Sequence, residues 1–493
     1  MISPLALLLL ACPLRDSPAL RYELLVDDPG EAQVDVSVTL SGLDPAQPTL
    51  DWRMTERYAF VVLEEPRLAG SPRVRDGAGR ELKLERLGPR RWTLHKGEAR
   101  EVHLEWSVEL DHRLQEGVVD RDEYEFPYLE EDHGLLQTAA LLLVPELESL
   151  RCSIALDLPV DWESNGPWPR DAEGVYHPRS RRSLASNFIA VGDWSRHRVE
   201  VSGASVGLLF SPGQEALEEL AVPVIEPLIE AELALFEHQA FESYLILFGR
   251  PDGSGMGGSP KHSSMTLFVQ PELVGKGYVR EVAHLAAHEL FHTWAASRFD
   301  APDELRFWNE GFTDYYAHLL PARLGQTGWH DFAQTLGSSM TAWERNERSA
   351  ALSPVEAGGP EFFEGGPAYW LVYRSGLVMA ALWDLEIRRA TGGERSLDDL
   401  MRRFTNDPRW SRERAPSLAQ LEEVLAKDVG EERAAELMGL ARRRGVPDFV
   451  AEFAKQGVEV RRLEEPSRGD GELELRRYAV PATPWQRHQS ESE

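Results

Sequence analysis

Two histidines four residues apart, with a glutamate directly after the first, stand in Ala287-His288-Glu289-Leu290-Phe291-His292-Thr293-Trp294. On a helix, residues i and i+4 lie about 40° apart on one face. His288 and His292 can therefore offer two imidazoles to one metal ion. Glu289 projects beside them, where a carboxylate can take a proton from a metal-activated water. A catalytic zinc of this kind needs a third protein ligand and an open position. The candidate is Glu310, in Trp308-Asn309-Glu310-Gly311-Phe312-Thr313-Asp314-Tyr315-Tyr316. Asp314, one turn further on, can accept an N–H from a ligating histidine.

These residues need two packed helices. Val282, Leu285, Ala286 and Leu290 give the first helix its apolar positions, and no proline interrupts it. Ala301-Pro302-Asp303 breaks that helix and can start a second one. Helices joined by so short a loop tend to pack side by side. Glu310 then falls early in the second helix. His284 lacks a following glutamate and reads as a helix-face histidine, and His262 as a solvated loop histidine.

The rest of the chain is divided by its periodicity. From Leu20 to Phe210 apolar residues alternate with polar ones, as in Val34, Val36, Val38 and Leu40, or Val102, Leu104, Trp106 and Val108. This predicts an all-β domain of sandwich type. Cys152 shares that period with Ile154 and Leu156 and reads as an inert residue on a buried face. After Ser211-Pro212-Gly213 the pattern predicts a helix over 215–237, a strand over 244–248, a glycine-rich loop over 249–259 and a strand over 265–269. Helical patterns run from Tyr278 to about Phe453, and the charged tail after Gln456 loses periodicity. The expected class is multi-domain α+β. Its expected parts are an N-terminal segment 1–19, a β domain 20–211, a catalytic domain 212–395, a helical region 396–460 and a charged tail 461–493.

Composition excludes several functions. The 493 residues carry 53 Lys+Arg and 82 Asp+Glu, a net charge of −29. Nucleic acid is excluded as a main partner, because phosphate binding needs a basic footprint. Two cysteines exclude a disulfide scaffold and an iron–sulfur site. The apolar run 5–11 is too short to span a bilayer. It ends in Leu9-Leu10-Ala11-Cys12, which resembles the lipobox of bacterial lipoproteins, with an ordinary cleaved signal or a mis-called start as the alternative. The lipobox or cleaved-signal reading implies export to a bacterial cell envelope, and any membrane link is a lipid on Cys12. Gly203-Ala204-Ser205-Val206-Gly207 fits a nucleophile elbow, but that needs a strand before it and a helix after it. Leu208-Leu209-Phe210 continues like a strand, so a hairpin turn is the better reading. Gly253-Ser254-Gly255-Met256-Gly257-Gly258 precedes another strand instead of the helix a dinucleotide site requires.

The segment around His288, the segment Asn309 to Tyr316 and the segment Tyr373 to Arg388 together resemble the glycyl aminopeptidase family of gluzincins. The aminopeptidase N family is a more distant relative. The resemblance implies a thermolysin-like catalytic domain, one zinc per chain and peptide substrates. It implies that His288, His292 and Glu310 are the ligands, Glu289 the general base and Tyr373 the oxyanion stabiliser. Gly255, Met256, Gly257 and Gly258 would line the substrate. The sequence departs from the family in three places. Pro260 stands where relatives carry the glutamate that holds the substrate amine, Ser375 replaces a lysine, and the spacer from His292 to Glu310 is short. The expectation is a zinc-dependent metallopeptidase, with exopeptidase or endopeptidase cutting left open. A catalytically weakened zinc-holding binding protein is the alternative, and the oligomeric state is undetermined.

Overall fold

Alternation becomes burial in the N-terminal strands. In Gln33–Ser41 the side chains of Val34, Val36, Val38 and Leu40 are buried, and the residues between them are half-exposed. A computed structural model of the chain describes residues 17–54, 67–110, 126–238, 241–249, 256–269, 279–295, 299–411, 414–468 and 475–489. Cys12 and Gly255 lie outside these residues.

One compact unit comprises the chain up to Val199, Ser205–Glu215 and Ser243–Gln270. Its first sheet has five strands in the order Arg151–Asp157, Ala19–Leu25, Gln33–Ser41, Glu101–Glu109, Arg73–Asp76. Register sets Val36 opposite Trp106 and Val38 opposite Leu104. A second sheet of four strands runs Val144–Pro145, Thr49–Arg53, Arg91–His95, Lys83–Gly88, with Trp52 opposite Trp92. Buried residues of both sheets form one cluster, the arrangement of a sandwich. Cys152 belongs to that cluster, and burial pushes its thiol up to about 12, so it is unreactive at neutral pH.

A third sheet in this unit contains His133–Gln137 and Phe188–Gly192. The fourth has five strands in the order Ser195–Val201, Ala204–Phe210, Ser243–Gly249, Ser264–Val269, Met256–Pro260. Its three middle strands are parallel and its last is antiparallel. Leu135 and Phe188 of the third sheet share a core with Leu209 and Leu247 of the fourth. Asn187 ties the two together: its Oδ1 accepts from the Ser263 N–H at 2.8 Å and the Ser264 hydroxyl at 2.9 Å. The end of the expected glycine loop, residues 256–259, is a strand. Gly257 pairs with Phe268 and Gly258 with Leu267, leaving this strand at the sheet's edge. Ser205 lies within a strand after a turn at Ser202 and Gly203, both at positive φ, so it sits on no nucleophile elbow.

The second unit comprises Glu200–Ala204, Ala216–Glu242 and Pro271–Glu493. Its long helices are α1 (Glu215–Phe236), α2 (Val279–Ala295), α3 (Arg306–Arg323), α4 (Trp329–Arg345) and α5 (Gly366–Ala390). Phe236 of α1 stacks on Trp294 of α2 with centroids 5.7 Å apart. Helices α3 and α5 cross where both have glycine. A Cβ built on Gly311 or Gly376 would come closer than 3.0 Å to the other helix's backbone. The charged tail is more ordered than its composition suggests. Arg461–Arg468 and Leu475–Ala479 form a hairpin, and Thr483–Gln489 a helix. Its anchors are two buried aromatics, Tyr478 and Trp485, and the Trp485 indole donates to the Tyr315 hydroxyl of α3 at 3.1 Å. Isolated anchors among charges give no period, which is why the sequence pattern missed them. Among the described residues no helix is long and apolar enough to cross a membrane.

Candidate metal centre

Helix α2 presents His288 and His292 one turn apart, and α3 brings Glu310 against them. The two Nε2 atoms are 3.2 Å apart, and Glu310 Oε2 lies 3.8 Å from His288 Nε2 and 3.6 Å from His292 Nε2. Tetrahedral zinc with bonds of about 2.0–2.1 Å needs donors roughly 3.3 Å apart. The triangle fits a zinc ion with small adjustments. His288 is also grouped with His284 and Asp314, so it presents Nε2 to one set of donors and Nδ1 to the other.

The electrostatics favour a cation here. Burial alone would raise the Glu310 carboxyl, but His292 and His288 overcome it and hold it well below the usual carboxylate range. Burial disfavours charge on His288, yet Asp314, Glu310 and Glu289 push its pKa up to about 10. Glu289 is buried, and that burial raises its pKa, while His288 and His292 pull it back. A carboxylate tuned upward in this way is suited to accepting and returning a proton.

Glu310 is fixed at both oxygens. Asn309 Nδ2 donates to Oε1 at 2.9 Å, and the Tyr373 hydroxyl donates to Oε2 at 2.8 Å. Tyr373 comes from α5, and its ring stacks on His288 with centroids 5.8 Å apart. Burial, then the Glu310 charge, hold its phenol well above its ordinary pKa, so it remains a donor.

Asp314 accepts most closely from a histidine that the sequence reading set aside. His284 Nε2 is 2.7 Å from Asp314 Oδ1, whereas His288 Nδ1 is 3.7 Å away. His284 also stacks on His318, 4.2 Å between centroids. The signal was spacing: His284, His288 and His292 recur every four residues, as do Asp314 and His318. Met256, Gly257 and Gly258 lie in the first unit's edge strand, whereas all the residues of the metal cluster lie in the second unit.

Glu232 carries no signal in the sequence pattern. It is fully buried in α1, and neither carboxylate oxygen meets a hydrogen-bond partner among the described residues. Burial raises its pKa well above the ordinary 4.5, and the nearby His288 is the one charge that lowers it. Folded Glu232 thus keeps a proton that the unfolded chain sheds above about pH 4.5. Its contribution to stability is present at acid pH and is lost as pH rises towards the folded pKa. Glu232→Met should therefore stabilise the protein by about 1–3 kcal/mol at neutral pH and by less at pH 5. Thermal denaturation at the two pH values measures this, and a lower melting temperature for Glu232→Met at neutral pH would show that the carboxyl has a partner to lose.

Comparison with known proteins gives a domain and a fold. Residues 21–187 match the Peptidase M61 N-terminal domain. A search of curated proteins finds no match. Among solved structures, the chain resembles an aminopeptidase N family protein from Idiomarina loihiensis, with a TM-score of 0.77 at 17% identity, covering 90% of this chain and 79% of that one. It also resembles an M1 zinc metallopeptidase variant from Deinococcus radiodurans bound to a Tyr-Ser-Ala substrate, with a TM-score of 0.54 at 15% identity over 88% of this chain and 95% of that one. Yeast LTA4 hydrolase in complex with bestatin gives a TM-score of 0.53 at 14% identity, over 87% and 68%. The chain therefore carries an N-terminal domain of the Peptidase M61 type over residues 21–187 and has the fold of the aminopeptidase N family and M1 zinc metallopeptidases.

Proposed function

We propose that the protein is a zinc-dependent metallopeptidase that hydrolyses peptide bonds, with His288, His292 and Glu310 holding one zinc per chain. The observation that carries this is the convergence of those three donors with Glu289 buried beside them. When bound, zinc supplies a Lewis acid that polarises a carbonyl and lowers the pKa of water to about 7. Glu289 takes a proton from the attacking water and later passes it to the leaving amine as the C–N bond breaks. The Tyr373 hydroxyl, which donates to Glu310 in the resting site, leaves that bond and donates to the oxygen that gains negative charge. Asn309 and Tyr373 orient the Glu310 carboxylate in the resting site, and Asn309 keeps its hold when Tyr373 turns to the substrate. A zinc-holding protein without turnover would have no use for Glu289, and its retention supports an enzyme.

Digestion of a peptide library, read by mass spectrometry with and without a chelator, tests this reading. Cleavage that stops with chelator and returns with zinc supports it, and chelator-resistant cleavage contradicts it. The substrate's N-terminus gives a finer prediction. A free amine is a cation, and its recognition away from water needs a placed acceptor, usually a carboxylate. The sequence from Gly253 to Pro260 contains none. N-acetylated peptides should therefore be cut within about tenfold of free ones in kcat/KM. Strict dependence on the free amine would return the protein to the aminopeptidases.

A further inference from the structure

Two aromatic side chains are exposed among the described residues, Phe363 at 38% and Trp370 at 50%. Both belong to one run of rings that ends at the metal cluster. Phe363 lies 5.5 Å from Phe362, Phe362 5.0 Å from Tyr369, and Tyr369 4.6 Å from Tyr373. Trp370 lies 6.3 Å from Tyr373, which in turn stacks on His288 at 5.8 Å.

The backbone is bent to make this run. Phe362 and Phe363 sit in a short 3-10 turn, Pro360–Glu364, and Tyr369 and Trp370 in the first turns of α5. Between them Gly365 and Gly366 both have positive φ, at 74° and 70°, a conformation that other residues rarely adopt. Arginines brace the run. The Arg306 guanidinium lies 4.7 Å from the Phe362 ring and 4.5 Å from Phe363, and that of Arg374 lies 5.2 Å from Trp370. Even with this contact half of Trp370 remains open to solvent.

Its distance suits a substrate side chain. The two ring-to-ring steps put Trp370 no more than about 12 Å from His288. An extended peptide covers that in three to four residues at ~3.3–3.6 Å each.

We infer that Trp370 and Phe363 form a specificity subsite that takes an aromatic or large aliphatic side chain of the peptide within a few residues of the scissile bond. The inference rests on the metallopeptidase reading for where the scissile bond lies. Burial and stacking of one such ring favour binding by roughly tenfold or more. The subsite acts through binding, so it appears in KM more than in kcat.

The test uses a set of peptides that place one phenylalanine, or alanine in its stead, at each position within four residues of the cut site. Binding is measured by equilibrium dialysis to zinc-loaded Glu289→Gln protein, and turnover is measured with the parent. At one or two positions the phenylalanine peptide should bind roughly tenfold more tightly than its alanine twin. Trp370→Ala in the Glu289→Gln background should remove that difference with zinc content unchanged, and Trp370→Phe should keep most of it. Equal binding of the twins at every position, a preference that survives Trp370→Ala, or no binding at all overturns the subsite. Phenylalanine peptides that bind through Trp370 but are not cut by the parent would sustain the subsite and overturn the peptidase. Cleavage without preference would do the reverse.

Discussion

Glu289→Gln should retain one zinc per chain and the parent's melting temperature while losing at least ~10²-fold in kcat/KM. The substitution keeps the shape of the side chain and removes only its basicity. The residue has no place in the donor triangle, which His288, His292 and Glu310 complete without it. Burial raises its pKa and the neighbouring histidines lower it, so both the protein interior and the cluster act on its proton. Metal analysis and steady-state kinetics on one preparation separate the two properties. Parental turnover in Glu289→Gln would remove the general base from the mechanism. Loss of zinc would make Glu289 part of the binding site.

The second large effect is expected from a residue that touches neither metal nor peptide. Gly376→Ala puts a methyl group against the backbone of α3 at Phe307 and Gly311. Backbone cannot move aside as a flexible side chain can, so the helices must separate. Overpacking of this kind costs about 1–3 kcal/mol. Gly311 follows Glu310 directly, and Tyr373 lies one turn before Gly376, so the same separation moves the Glu310 carboxylate away from His288 and His292. Gly376→Ala should therefore lower the melting temperature and weaken zinc binding by ~10–100-fold, the range seen when a metal ligand loses its support. Gly439→Ala is the matched control. Gly439 sits in the helix Glu431–Arg442, where a Cβ meets nothing within 4 Å. There the change should stabilise by about 1 kcal/mol through helix propensity alone. A Gly376→Ala protein that behaves like Gly439→Ala would show that the close crossing does not position the site.

The parts of this molecule that sequence periodicity records are legible in the sequence itself. The i, i+4 histidines, the helix break at Pro302 and the alternation in Gln33–Ser41 each follow from a local rule. What was not legible depends on contacts between segments far apart in the chain. Gly257 and Gly258 look like a loop in sequence, because glycine has no side chain to alternate. They are a strand because Phe268 and Leu267 pair with them. His284 looked unemployed because its partner, Asp314, is thirty residues away on another helix. Glu232 gave no signal at all, since a glutamate on a helix is usually solvated, and only packing shows it buried. Tyr478 and Trp485 are anchors whose charged neighbours hide them.

The central claim is that His288, His292 and Glu310 form one zinc site, and zinc stoichiometry measures it most directly. Protein loaded with zinc and dialysed against a weak chelator should hold about one zinc per chain. His288→Ala and Glu310→Ala, each checked for retained fold by circular dichroism, should lose most of it under the same dialysis. Full zinc occupancy in both folded variants would contradict the account.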